Sequence, residues 1–180
     1  MNLLQKMMAV VLGLSLTLGL GGCSCTPKLG NYTVTVKLSD QFPEQFTPFD
    51  VDLIGLTPAE KGWAESKSVS AYFSGSDADR NSYQTAGAEM RRIPLTFGPG
   101  RDRSYVLTLD KKSERYNLWK GQVRYLAVFA QLEGVSASGA TDPRRGVLSL
   151  DQCDWGSRRQ LDAIVISPTR VAVPTPPEKK

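Results

Sequence analysis

The sequence predicts an all-β fold with short helical insertions, packed as a two-sheet antiparallel β-sandwich. Three observations lead there. Apolar and polar residues alternate in short runs rich in β-branched side chains, and clusters of Gly, Pro, Asn and Asp punctuate those runs. The two helical stretches interrupt the strands without the regular βαβ alternation of a parallel fold. A chain of 180 residues makes one domain with room for a real core.

The first stretch belongs to no sandwich. The chain opens MNLLQK and is apolar from Met7 to Leu20, with Lys6 its only side-chain charge before Cys23. A basic start, an apolar core of about 7–15 residues and a small-residue end is the pattern of a secretory leader. A membrane-spanning helix needs about 20 apolar residues, and this run is broken by Gly13, Gly19, Gly21 and Gly22. Leu20-Gly21-Gly22-Cys23 resembles the lipobox of bacterial lipoproteins. That likeness implies removal of residues 1–22 and acylation of Cys23 through a diacylglycerol on sulfur and, usually, a fatty acyl chain such as palmitate on the new amine. Two or three chains at about 0.8 kcal/mol per buried methylene anchor stably. Ser24 stands where such lipoproteins carry Asp when retained at the inner membrane, so the expected location is the periplasmic face of the outer membrane. Losing Lys6 takes the net charge from +4 to +3, which says little about partners.

The mature chain divides into a lipidated tether over 23–31, a sandwich over 32–169 and a Pro-rich, disordered tail over 170–180. Tyr32–Leu38 (YTVTVKL) alternates strictly and reads as a half-buried strand. Ser39–Pro48 is a loop carrying Phe42, Pro43 and Phe46. Phe49–Leu56 (FDVDLIGL) alternates again, with Asp50 and Asp52 on one face. Thr57-Pro58-Ala59-Glu60 starts a helix reaching about Ser70: Thr caps, Pro fits the first turn and Glu60 closes a capping box. SGSDADRNS breaks that pattern. Strands follow at Arg91–Phe97 and Ser104–Leu109, joined by GPGRD as a hairpin turn. A second helix runs from Asp110 to about Lys120. Tyr125–Leu132 is nearly all apolar, as a strand covered on both faces would be. Arg145–Leu150 and Leu161–Ser167 complete seven strands.

Little of the familiar chemistry survives inspection. The chain has no histidine, which removes Ser-His-Asp and Cys-His catalysis and the commonest zinc ligand. Besides Cys23 only Cys25 and Cys153 remain, too few for a four-thiolate zinc site. In an oxidising periplasm these two either form a disulfide or stay as unpaired thiols. Asp77, Asp79 and Asn81 match the opening of a calcium loop, but Ser82 and Ala88 stand where Gly and Glu are needed. Asp50 and Asp52 read as a solvated sheet face, since no third group joins them. The arginine doublets 91–92, 144–145 and 158–159 read as solvated edge residues that discourage aggregation; phospholipid headgroups or an acidic partner are the other reading. Phe42 and Phe46 either project as recognition side chains or fold back as a lid on the core. No cofactor, metal or nucleic acid is expected, and no enzyme activity.

Four stretches stand together: FDVDLIGL followed by a capped helix, SVSAYFSGSDADR, LWKGQVRYLAVFAQLEG, and RRGVLSLDQCDW with LDAIVISPTRV as a closing pair of strands. Together they resemble the outer-membrane lipoprotein of bacterial type VI secretion systems, the TssJ family. The resemblance implies a sandwich of transthyretin-like topology with an added helical segment. It also implies a non-enzymatic anchor that binds the periplasmic domain of an inner-membrane secretion subunit through the loop between its first two strands. That loop is Ser39–Pro48, which makes Asp40, Phe42, Glu44 and Phe46 the expected contacts. The alternative is a lipid-anchored sandwich that binds a small ligand or glycan.

Overall fold

A computed structural model of the chain describes residues 25–83, 91–135, 137 and 141–177; the leader and Cys23 lie outside them. Among the described residues eight strands form two four-stranded sheets. The first has the order β4 (Ser104–Leu109), β1 (Tyr32–Leu38), β7 (Ile164–Ser167), β8 (Arg170–Ala172). The second has the order β3 (Arg92–Phe97), β2 (Phe49–Leu56), β5 (Tyr125–Ala130), β6 (Arg145–Ser149). Inward-facing Val34, Val36, Leu107, Leu109, Ile164 and Ile166 of the first sheet meet Val51, Leu53, Leu126, Val128 and Leu148 of the second. This is the expected sandwich, with one departure: β1 and β7 run parallel, so the first sheet is mixed.

The turn at Gly98–Arg101 reverses the chain as expected, with Gly100 at φ +71° and the Arg101 amide donating to the Gly98 carbonyl. It does not make a hairpin. β3 pairs with β2 and β4 pairs with β1, so the turn carries the chain from one sheet to the other. A turn signal fixes reversal of direction, whereas pairing is decided by which partner buries Phe97 and Leu107 in the shared core. The stretches expected to form a closing pair also part company. β6 pairs with β5, while β7 lies between β1 and β8 in the opposite sheet.

Helical pieces cover the outer face of the second sheet. A 3-10 turn at Pro58–Glu60 leads into α1 (Lys61–Ser66), then α2 (Val69–Tyr72) and α3 (Ala78–Ser82). The single helix expected to Ser70 is broken because Lys67 is extended and Ser68 starts a new cap, its Oγ accepting from the Ala71 amide. Asp77 caps α3 in the same way within the stretch read as a break. Ala64, Val69, Tyr72 and Tyr83 pack on Ile54, Leu56, Ala127 and Phe129, which makes a second small core. β5 is thus covered on both faces, as its apolar run predicts.

α4 (Glu114–Trp119), capped by Ser113, ends on Trp119, which is fully buried at one end of the sandwich. A Cβ at Gly55 would lie 3.0 Å from its indole, so glycine is what admits the ring. α5 (Gln152–Trp155) follows β6 and buries Trp155. Two boundary expectations change. Residues 26–31 are no free tether, because Leu29 is buried and bridges Asp151 while the Gly30 amide donates to the Leu150 carbonyl. The tail begins later than 170, since Arg170–Ala172 forms β8 and the Val171 amide donates to the Pro143 carbonyl.

Candidate functional site

The two features singled out by sequence, the cysteines and the loop, stand at opposite ends of the sandwich. Cys25 is bonded to Cys153 across 128 positions of sequence. Around that bond the Gln152 amide donates to the Lys28 carbonyl, the Thr33 amide to the Arg159 carbonyl, and the Tyr32 hydroxyl to the Asp151 carbonyl at 3.3 Å. Burial and the nearby charges of Asp151 and Asp154 push the Tyr32 hydroxyl up to about 12. β1 begins at this end, and its seven residues carry the chain roughly 20 Å to the other. There Ser39–Pro48 makes the turn into β2.

Within the loop the structure sorts the four expected contact residues. Phe42 is 9 % exposed and stacks on Phe49, with ring centroids 5.4 Å apart. Phe46 is half-buried, tilted against Phe42 at 5.1 Å and Phe49 at 6.1 Å. Phe49 in turn meets Phe97. Phe42 is therefore corrected from a contact to a lid on the core: an apolar ring beside the open end of a sandwich is stabler against Phe49 than in water. Asp40 and Glu44 remain exposed, as do Gln41, Pro43, Gln45 and Thr47. Arg103 fixes the loop from the β4 side, its Nη2 donating to the carbonyls of Ser39 (3.1 Å) and Phe42 (3.2 Å). Sequence reasoning missed this residue, because an arginine serving two loop carbonyls has no local signature. A cleft of about 190 Å³ opens between Phe46, Phe49, Leu132 and Pro168, and a larger groove of about 580 Å³ lies between Asp40, Gln41 and Arg170.

The charged groups turn out to be structural. Asp52, expected on a solvated face, is 0 % exposed. Its Oδ2 accepts from Tyr72 Oη (2.9 Å) and Arg80 Nε (3.1 Å), and its Oδ1 accepts from Arg92 Nη2 (2.9 Å). Burial first, then the Asp52 charge, push the Tyr72 hydroxyl far up. The solvated-face reading failed because Ile54 and Leu56 share a face with Asp52, and helices cover all three. Asp50 alone stays half-exposed, accepting from Thr96 Oγ1 at 2.9 Å. A carboxylate buried at 0 % exposure among three such donors clasps helices to sheet.

Four of the six doublet arginines are likewise committed. Arg91 pairs with Glu60, and its Nε donates to the Gly55 carbonyl. Burial alone would raise the Glu60 carboxyl, but hydrogen bonds from Arg91 and from Thr57 outweigh it and hold Glu60 below its ordinary value. Tyr83, beside Glu60, is pushed up to about 12 by burial and by that charge. Arg144 grips Asp142 through two bonds of 2.9 and 2.8 Å, and these with the Arg144 and Val69 amides keep Asp142 low against the effect of burial. Arg145 donates to the Lys67 carbonyl. Lys67 bridges Asp77 (2.7 Å) and Asp79 (2.6 Å), and Asp79 is lowered by that bond and by one from Trp63. Only Arg158 and Arg159 are exposed in the manner expected.

Among the described residues no helix is long and apolar enough to cross a membrane. No protein-family model matches the sequence, and no curated protein matches it. Solved structures similar in backbone include two type VI secretion proteins. One is the T6SS protein TssM C-terminal domain from EAEC, at TM-score 0.47 and 10 % identity, covering 78 % of this chain and 98 % of that one. The other is Lip of Serratia marcescens, a membrane-bound component of the Type VI Secretion System, at TM-score 0.40 and 16 % identity, covering 86 % of this chain and all of that one.

Proposed function

We propose that this chain is a lipoprotein anchored through Cys23 at the outer membrane, and that its exposed loop binds the periplasmic domain of an inner-membrane subunit of a type VI-like secretion complex. The reading rests on one arrangement above all: the segment that follows the lipobox is bonded to one end of a rigid sandwich, and the loop Ser39–Pro48 projects from the other. An anchor and a recognition loop at opposite poles let the protein face a partner across the periplasm. Asp40 and Glu44 supply exposed acidic contacts, and Phe46 lends a half-buried aromatic edge. Phe42, Phe49 and Arg103 hold the loop in shape, which lowers the entropy lost on binding. The role is that of a scaffold, and no cofactor enters it. The acylated protein should bind the periplasmic domain of the inner-membrane subunit of such a complex from the same bacterium, in a saturable titration. Absence of binding at high micromolar concentrations would contradict the reading.

A further inference from the structure

We propose that the end of the sandwich around the disulfide is a membrane-contact surface that docks on the phosphate groups of anionic phospholipids, and that the disulfide is what turns it toward the bilayer. The inference rests on the acylation of Cys23 proposed above. Cys23 precedes Cys25 by two residues, a reach of no more than about 8 Å. Cys25 is held on the domain by its bond to Cys153 and by the backbone bonds of residues 28–33. The acyl chains therefore leave from a fixed point on the body rather than from a swinging tether, and the surface around that point faces the headgroups.

That surface is basic where it is free. Lys28, Arg158 and Arg159 are exposed, and both arginines follow within six positions of Cys153. Arg124 borders the same area, its Nη2 reaching the Pro27 carbonyl at 3.5 Å. Asp151, which caps α5, and Asp154 within it keep their charge, but both are half-buried, accepting from the Cys153 amide and from Ser149 Oγ at 2.6 Å, while the four cations outnumber them. Asp162 is an exposed acid nearby, and Glu114 of α4 is another at this end. Guanidinium groups suit phosphate because their planar forks donate two bonds at once.

The test is amide exchange on the full-length acylated protein in vesicles of phosphatidylethanolamine with phosphatidylglycerol, compared with vesicles of phosphatidylcholine alone. Flotation with either vesicle reports the anchor; a chain that fails to float overturns acylation and the docking surface with it. In a floating chain, amides over 152–160 should exchange about fivefold slower or more on the anionic vesicles, with the loop 39–48 unchanged. Equal exchange on both vesicles, or slowing in the loop instead, overturns the docking surface while leaving the anchor standing. R158E/R159E should float normally and lose the slowing, since neither side chain supports the core. C25S/C153S should also float, and persistence of the slowing there overturns the orienting role of the disulfide.

Discussion

Asp50 and Asp52 stand two residues apart on β2 and meet different fates. Asp50 keeps contact with water, whereas Asp52 is sealed under α2 and α3 with Tyr72, Arg80 and Arg92 around it. Removing one partner of a buried ion cluster leaves the others uncompensated, so D52N should cost about 3 kcal/mol in chemical denaturation. D50N should cost less than about 1 kcal/mol, because an exposed pair contributes little. Equal effects from the two would mean that Asp52 is not clasped as described. Phe42 belongs to the same scale. F42A removes a ring packed on Phe49 and should lower stability by about 3 kcal/mol, read as a fall in Tm. A variant with unchanged Tm would restore Phe42 to the exposed contact residues.

Among the elements, the segment from Cys25 to Tyr32 depends most on a single bond. Closing a loop of well over 100 residues restricts the unfolded chain strongly, so C25S/C153S should lose about 4–5 kcal/mol in a two-state analysis. A loss below about 1 kcal/mol would show that the backbone bonds to α5 suffice without the bond. The helical cap has a different weakness, toward acid. Glu60, Asp79 and Asp142 are each held below their ordinary values, so the folded chain binds fewer protons than the unfolded chain as pH falls past that range. Their contribution is fully present above about pH 5 and is lost as pH drops through 4 and below. Tm should fall accordingly, and E60Q should flatten that acid limb. An acid limb as steep in E60Q as in the parent would remove Glu60 from the cause.

At the scale of the whole molecule, strand positions are legible in the sequence because period-2 burial writes itself into YTVTVKL and SYVLTL. Pairing is not legible, since GPGRD marks a reversal without saying which sheet receives each arm. The covered face of β2 was hidden for a related reason: Asp52 suggests water until Ile54 and Leu56 are set beside it, with Ala127 and Phe129 on the neighbouring strand. The loop was legible as a candidate site from its position between β1 and β2, but the inward turn of Phe42 depends on Phe49 and Phe97, and the hold of Arg103 comes from 61 positions away. What emerges is a body with two poles, one bonded to the segment that follows the proposed lipid anchor and one bearing an acidic loop. The most direct test is a titration of the full-length protein with the periplasmic domain of the proposed inner-membrane partner, comparing D40K/E44K with R158E/R159E at the opposite pole. The account predicts a loss of at least about tenfold, roughly 1.4 kcal/mol, for the loop variant and an unchanged affinity for the other. Equal affinities for both variants and the parent, or a loss confined to R158E/R159E, would contradict it.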